Sequence, residues 1–219
     1  MILYVAFFAQ IILIYFISQW TIQHLFRALY RITKSTFVSS YILALLYFPG
    51  TLLHELSHFI TAVALLLNVK EMDLIPVVKK SDDDKRYVKL GSVVFEQKDY
   101  FRSMLVGIAP FFVGLGFFFF MFEYDIFPNE NIWINVLSLY LLFSVSSSMF
   151  SSKKDLEGTI IIVPLIILIF SILVGFNIDI TRIFLSETTL EIMRRLNMYL
   201  LIATGGNSLI YVILRLFRI

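Results

Sequence analysis

The chain of 219 residues is 59% hydrophobic and 16% charged, with a mean hydropathy of +0.85, whereas soluble domains run near 25% charged; an ordinary soluble globule is excluded and a bilayer is implied. A formal net charge of +2, with the basic residues beside apolar runs and not in a stripe, excludes nucleic acid as a partner. Without cysteine, neither a disulfide framework nor a thiolate metal site or cysteine nucleophile can exist.

Apolar runs at 2–20, 37–67, 102–122, 132–150, 158–176 and 196–217 are each long enough for a span of about 20 residues. They predict an all-α polytopic membrane protein with about six transmembrane helices, forming a single domain over 1–219. The first run has no basic n-region and ends in Ser18-Gln19-Trp20 without a small-residue cleavage pattern, so it reads as a retained helix. The second run is too long for one perpendicular span. Pro49-Gly50 lies inside it, where proline removes a helical hydrogen bond, so it is either one bent helix or a short helix leading into a second.

After it comes the one substantial polar stretch, 69–101. Residues 71–78 and 87–97 are rich in Val, Ile, Leu and Phe, with Ser81-Asp82-Asp83-Asp84 between them, which predicts a β-hairpin or small sheet at the membrane surface. Lys and Arg concentrate on the face that receives 68–101, 151–157 and the C-terminus, which makes that face cytoplasmic. The expectation is a multi-pass integral protein of the cell membrane with its site nearer the cytoplasmic side.

His54-Glu55-Leu56-Ser57-His58 holds two of the three histidines and the only charged residue between Lys34 and Lys70. Positions i and i+4 share a helix face, so both imidazoles reach one metal while Glu55 addresses a water there. Zn²⁺ suits this donor set, lowering the pKa of a water to about 7 and polarising a carbonyl while the glutamate moves the proton. The competing reading is a chance string, but a buried ionisable residue costs on the order of 2.5–3.5 kcal/mol on insertion scales and usually marks a functional site. His54 and His58 are therefore the metal ligands expected, Glu55 the general base, and peptide hydrolysis the chemistry.

Catalytic zinc normally has three protein ligands. His24, Glu187 and Glu191 fall on the opposite predicted face. Asp155, in the turn after the fourth span, falls on the same face as the C-terminal half of the H-E-x-x-H helix and is the candidate third ligand. Its competing reading is a first-turn acid of the fifth helix, and Glu157 is the nearby substitute.

At these residues the chain resembles the site-2 protease family of intramembrane zinc metalloproteases. That family pairs an H-E-x-x-H membrane helix with a later aspartate in an L-D-G-like turn, here matched by Leu53 to His58 and by Asp155-Leu156-Glu157-Gly158. Gly107-Ile108-Ala109-Pro110 is similar to the family's Ala/Gly-Pro element, and 69–101 occupies the place of its membrane-associated sheet. Two departures stand out. The proline-rich, asparagine-containing approach to the aspartate is replaced by residues 146–154, and no PDZ domain is inserted. The resemblance implies a zinc-dependent intramembrane endopeptidase whose partners are a membrane protein or peptide substrate and the lipid bilayer. The alternative is a non-proteolytic scaffold or pseudoprotease with a structural zinc, for which an intact Glu55 would not be required. A transporter would spread polar pairs over several helices, and those are scarce.

Three further features carry expectations. Gly205-Gly206-Asn207-Ser208 is expected to pack closely against another helix. The hydroxyl-rich stretch 144–152 reads as helix packing or a polar path. Glu187, Glu191, Arg194 and Arg195 read as an interfacial helix.

Overall fold

The computed structural model describes residues 2–80, 86–89, 91–96, 99–150 and 184–216, with isolated positions between 171 and 182. In chain order it forms α1 (Ile2–Thr33), α2 (Thr36–Leu46), α3 (Phe48–Ala64), β1 (Val69–Asp73), β2 (Val77–Lys80), β3 (Arg86–Lys89), β4 (Ser92–Phe95), α4 (Tyr100–Glu123), α5 (Ile132–Ser148) and α6 (Glu187–Leu216). Among the described residues three helices, α1, α4 and α6, are long and apolar enough to cross a membrane, and α2 with α3 makes a fourth candidate if the bent pair is one span. α5 is apolar but shorter. The expected span over 158–176 falls almost wholly outside the described residues.

Two helices outrun their apolar stretches. α1 continues thirteen residues past Trp20 to Thr33, because Thr21 to Thr33 contains no Pro or Gly and nothing in it ends a helix. Similarly, α6 begins at Glu187. The charged turn expected as a separate interfacial helix is therefore its first part. Arg195 bonds Glu191 one turn back at 2.7 Å and stacks over the Phe122 ring of α4 at 3.8 Å, which docks this end of α6 on the bundle.

The long second run is broken at Tyr47, and the two helices meet at 74°. Pro49 falls in the first turn of α3, where its missing N–H would have no helical partner anyway. A continuous helix would join the Leu46 carbonyl to the Gly50 N–H. Here α5 substitutes both halves of that bond. The Tyr140 hydroxyl donates to the Leu46 carbonyl at 3.0 Å, and the Gly50 N–H donates to the Ser144 hydroxyl at 2.9 Å. Ser144 in turn donates to the Tyr47 carbonyl at 3.2 Å. In an apolar medium such replacement is what makes a broken helix tolerable.

At its other end α3 stops in a Schellman turn. Leu66 takes φ 57°, Leu67 N–H returns to the Ala62 carbonyl and Leu66 N–H to that of Val63. Leu67 then packs with Ala62 and Val106, joined by Leu65, Val69 and Phe95. This small core seats the hairpin on α3 and α4. Arg102, paired with the α4 N-cap Asp99, adds a donor to the Leu65 carbonyl at 3.0 Å.

The hairpin runs as one antiparallel ribbon in two paired pieces. β1 pairs β4 from Val69↔Phe95 to Asp73↔Ser92, with an irregularity between Val69 and Glu71, and β2 pairs β3 from Val77↔Lys89 to Lys80↔Arg86. The expectation of a hairpin over 69–101 holds at this level. Its base leans on α3 and its far piece reaches α2, so the ribbon lies back along the bent pair.

The main core joins α1, α4, α5 and α6 around Ile14, Phe118, Met121, Leu142, Tyr199 and Leu200. Asn207 of α6 is fully buried and ties three helices together. It accepts from Ser147, donates to Ser146 at 3.3 Å, and its own carbonyl accepts from Thr21 of α1. The serines of α5 thus serve helix packing. The close packing of 205–208 is made by Asn207; among the described residues nothing lies within 4 Å of where side chains at Gly205 and Gly206 would begin.

Candidate metal centre

α3 lies against both α4 and α5, which shields one of its faces. That face carries Gly50, Thr51, His54, Ser57, His58 and Ala62, a helical repeat of buried positions. His54 and His58 are 5% and 8% exposed, so both rings are buried. Their rings stand nearly perpendicular, 89° apart with centroids at 4.6 Å, and the two Nε2 atoms approach to 3.1 Å.

The other nitrogen of His58 favours one tautomer. Nδ1 lies 2.8 Å from the Val106 carbonyl oxygen; a carbonyl only accepts, so a neutral imidazole bonded there carries its proton on Nδ1 and turns the Nε2 lone pair toward His54. Two nitrogens at about 2.0–2.1 Å from a tetrahedral zinc stand about 3.4 Å apart, so the observed 3.1 Å separation is compatible with both imidazoles holding one cation. In metal sites a ligating histidine commonly donates its other ring N–H to a backbone carbonyl. One turn of α3 is further fixed by the Ser57 hydroxyl, which donates to the His54 carbonyl at 2.6 Å.

Glu55 is half-buried and looks to the hairpin rather than to the helix-packed face. Gly91, between the two paired pieces of the ribbon, sits so close that a methyl added there would lie 2.7 Å from the Glu55 Cγ. The ribbon therefore crosses directly over the carboxylate-bearing side chain. Among the described residues no cluster of three His, Asp or Glu donors is found. Asp155 and Glu157 lie outside the described residues. His24 is placed elsewhere, its Nδ1 against the Trp20 carbonyl at 2.9 Å and its ring edge-on to Tyr211. Glu191 is engaged with Arg195.

No family model, curated protein or solved structure matches this chain. The site must accordingly be judged on its own atoms. Two of its participants are invisible to a search for metal-binding side chains: the Val106 carbonyl, a backbone atom, and Gly91, which has no side chain. The lone glycine between two apolar strand segments was the available signal for the second.

Proposed function

We propose that the protein is a multi-pass, zinc-dependent intramembrane endopeptidase. The observation that carries the reading is the convergence of two buried imidazoles, 3.1 Å apart at Nε2, one turn apart on an apolar helix that also carries Glu55. His54 and His58 would hold the zinc, with Asp155 as third ligand. Zinc held there would supply Lewis acidity, acidifying a water and polarising the scissile carbonyl. Glu55 would take a proton from the attacking water as its oxygen adds to the carbonyl carbon. It then delivers the proton to the departing amine nitrogen as the C–N bond breaks, so the base is restored after each turnover.

The buried location argues for a membrane-spanning substrate. A transmembrane helix hides its peptide bonds in its own hydrogen bonding, and unwinding it in lipid exposes backbone groups that need new partners. β4 lies beside the site helix and pairs only with β1 among the described residues, so its outer edge would serve an extended segment by strand addition. The Lys and Arg asymmetry of the loops supports a site nearer the cytoplasm.

The test is metal analysis of purified protein together with cleavage of a membrane segment by wild type and Glu55→Gln. About one zinc per chain in both proteins is expected, with hydrolysis in the wild type alone. A wild type without zinc after metal-replete purification would remove the site. Unchanged turnover in Glu55→Gln would remove Glu55 from the mechanism, and a soluble unfolded protein cut as fast as the membrane segment would remove the substrate class. Zinc without hydrolysis of any substrate would leave a structural site.

A further inference from the structure

The acceptor that orients His58 has an origin within α4. In an α-helix each carbonyl accepts from the N–H four residues on, so the helical partner of the Val106 carbonyl is residue 110. That residue is Pro110, inside α4. Proline has no N–H, and its ring crowds the carbonyl four residues back. The Val106 carbonyl thus loses its helical donor at a buried place: Val106 is 1% exposed, and Ala109 and Pro110 are buried as well. His58 Nδ1 is 2.8 Å from that oxygen.

We propose that Pro110 is a positioning residue for the metal centre: it opens the Val106 carbonyl to His58, and that hydrogen bond holds His58 in the tautomer whose Nε2 lone pair faces His54. The consequence for metal binding rests on the zinc reading above; the hydrogen bond itself does not. A side chain with an N–H at 110 restores the helical donor and removes the crowding ring. The carbonyl then turns back along the helix axis, and His58 must share it or release it. An unanchored imidazole rotates and exchanges tautomers, so the lone pair is no longer pre-aimed.

A merely structural proline and a positioning one differ in the sign of their effects. Pro110→Ala repairs a helix, so the apo protein should unfold at the same temperature or higher. Its zinc affinity, measured by competition with a chromophoric chelator, should nevertheless fall about 10- to 100-fold, the usual cost of losing an outer-shell partner. The direct readout is ¹⁵N resonance of ring-labelled histidines in metal-free protein in micelles, assigned with His24→Gln and His54→Gln. Wild-type His58 should be protonated at Nδ1, and Pro110→Ala should show a mixture of tautomers.

Wild-type His58 protonated at Nε2 in the apo protein would overturn the inference without any variant having to fold. So would Pro110→Ala with unchanged tautomer and affinity, or with affinity and stability lost together while the tautomer stays fixed. If the wild type binds no zinc, the functional reading fails, yet the tautomer comparison still decides the role of Pro110.

Discussion

Gly50→Ala sets two effects of opposite sign against each other at the helix break. Alanine is the better helix former by about 1 kcal/mol in a helix interior, and Gly50, in the first turn of α3, would gain at most that. Against it, the new methyl would lie 2.5 Å from both the Ser144 carbonyl carbon and the Ser148 Oγ, and would overlap the Ser144 carbonyl oxygen, where ordinary contact begins at 3.4 Å. α3 and α5 would have to separate by about an ångström, an overpacking that typically costs about 1–3 kcal/mol. The Gly50 N–H bond to Ser144 would stretch as well, for about 1 kcal/mol more. The net expectation is a loss of about 1–3 kcal/mol, read as a lower unfolding temperature in detergent. Because two of the clashing atoms are backbone, Ser148→Ala should not rescue the variant. A Gly50→Ala protein as stable as wild type, or one restored by Ser148→Ala, would refute the account of this contact.

Two further outcomes are expected at the metal centre. Asp155→Ala should lower zinc affinity and hydrolysis together while Glu157→Ala changes little, and the reverse pattern in chelator competition would transfer the ligand role to Glu157. Gly91→Ala should leave zinc content intact, since no donor is altered, but displace the Glu55 side chain and lower kcat by about tenfold or more, a modest part of what general-base catalysis contributes; unchanged kcat would show that the ribbon yields instead of the carboxylate.

What the sequence made legible were features written in residue types at fixed spacing. His54 and His58 at i and i+4 do share the buried face of a helix, the apolar segments flanking 81–84 do pair as a hairpin, and Pro49 does mark a break. Helix ends were not legible for α1 and α6, because hydropathy reports which residues tolerate lipid and not where a helix stops. Polar residues such as Gln23, Arg27 and Arg31 continue a helix as well as leucine does. Gly205 and Gly206 misled for a related reason. Small residues permit close approach but do not compel it, and the contact there is made by Asn207, whose amide needs buried partners. The Val106 carbonyl carried no signal of its own; only counting four residues back from Pro110 points to it.

Among the described residues a proline and a helical hydrogen bond meet at two places, and their comparison separates architecture from chemistry. At the first, beside Pro49, the separated Leu46 carbonyl and Gly50 N–H are met by Tyr140 and Ser144, neutral groups one turn apart on α5. At the second, the carbonyl released by Pro110 is met by His58. Satisfying a lone carbonyl in an apolar setting requires only a donor, and a serine or tyrosine hydroxyl does that, as α5 demonstrates. An imidazole is larger, ionisable and costly to bury. What it adds for a partner beyond the carbonyl is a second ring nitrogen, left as an acceptor when a neutral ring donates through the first. That nitrogen is directed at His54 Nε2, 3.1 Å away. Backbone satisfaction explains why something donates to Val106, but it does not explain why the donor is a histidine facing another histidine; the shared cation proposed above would account for that pairing.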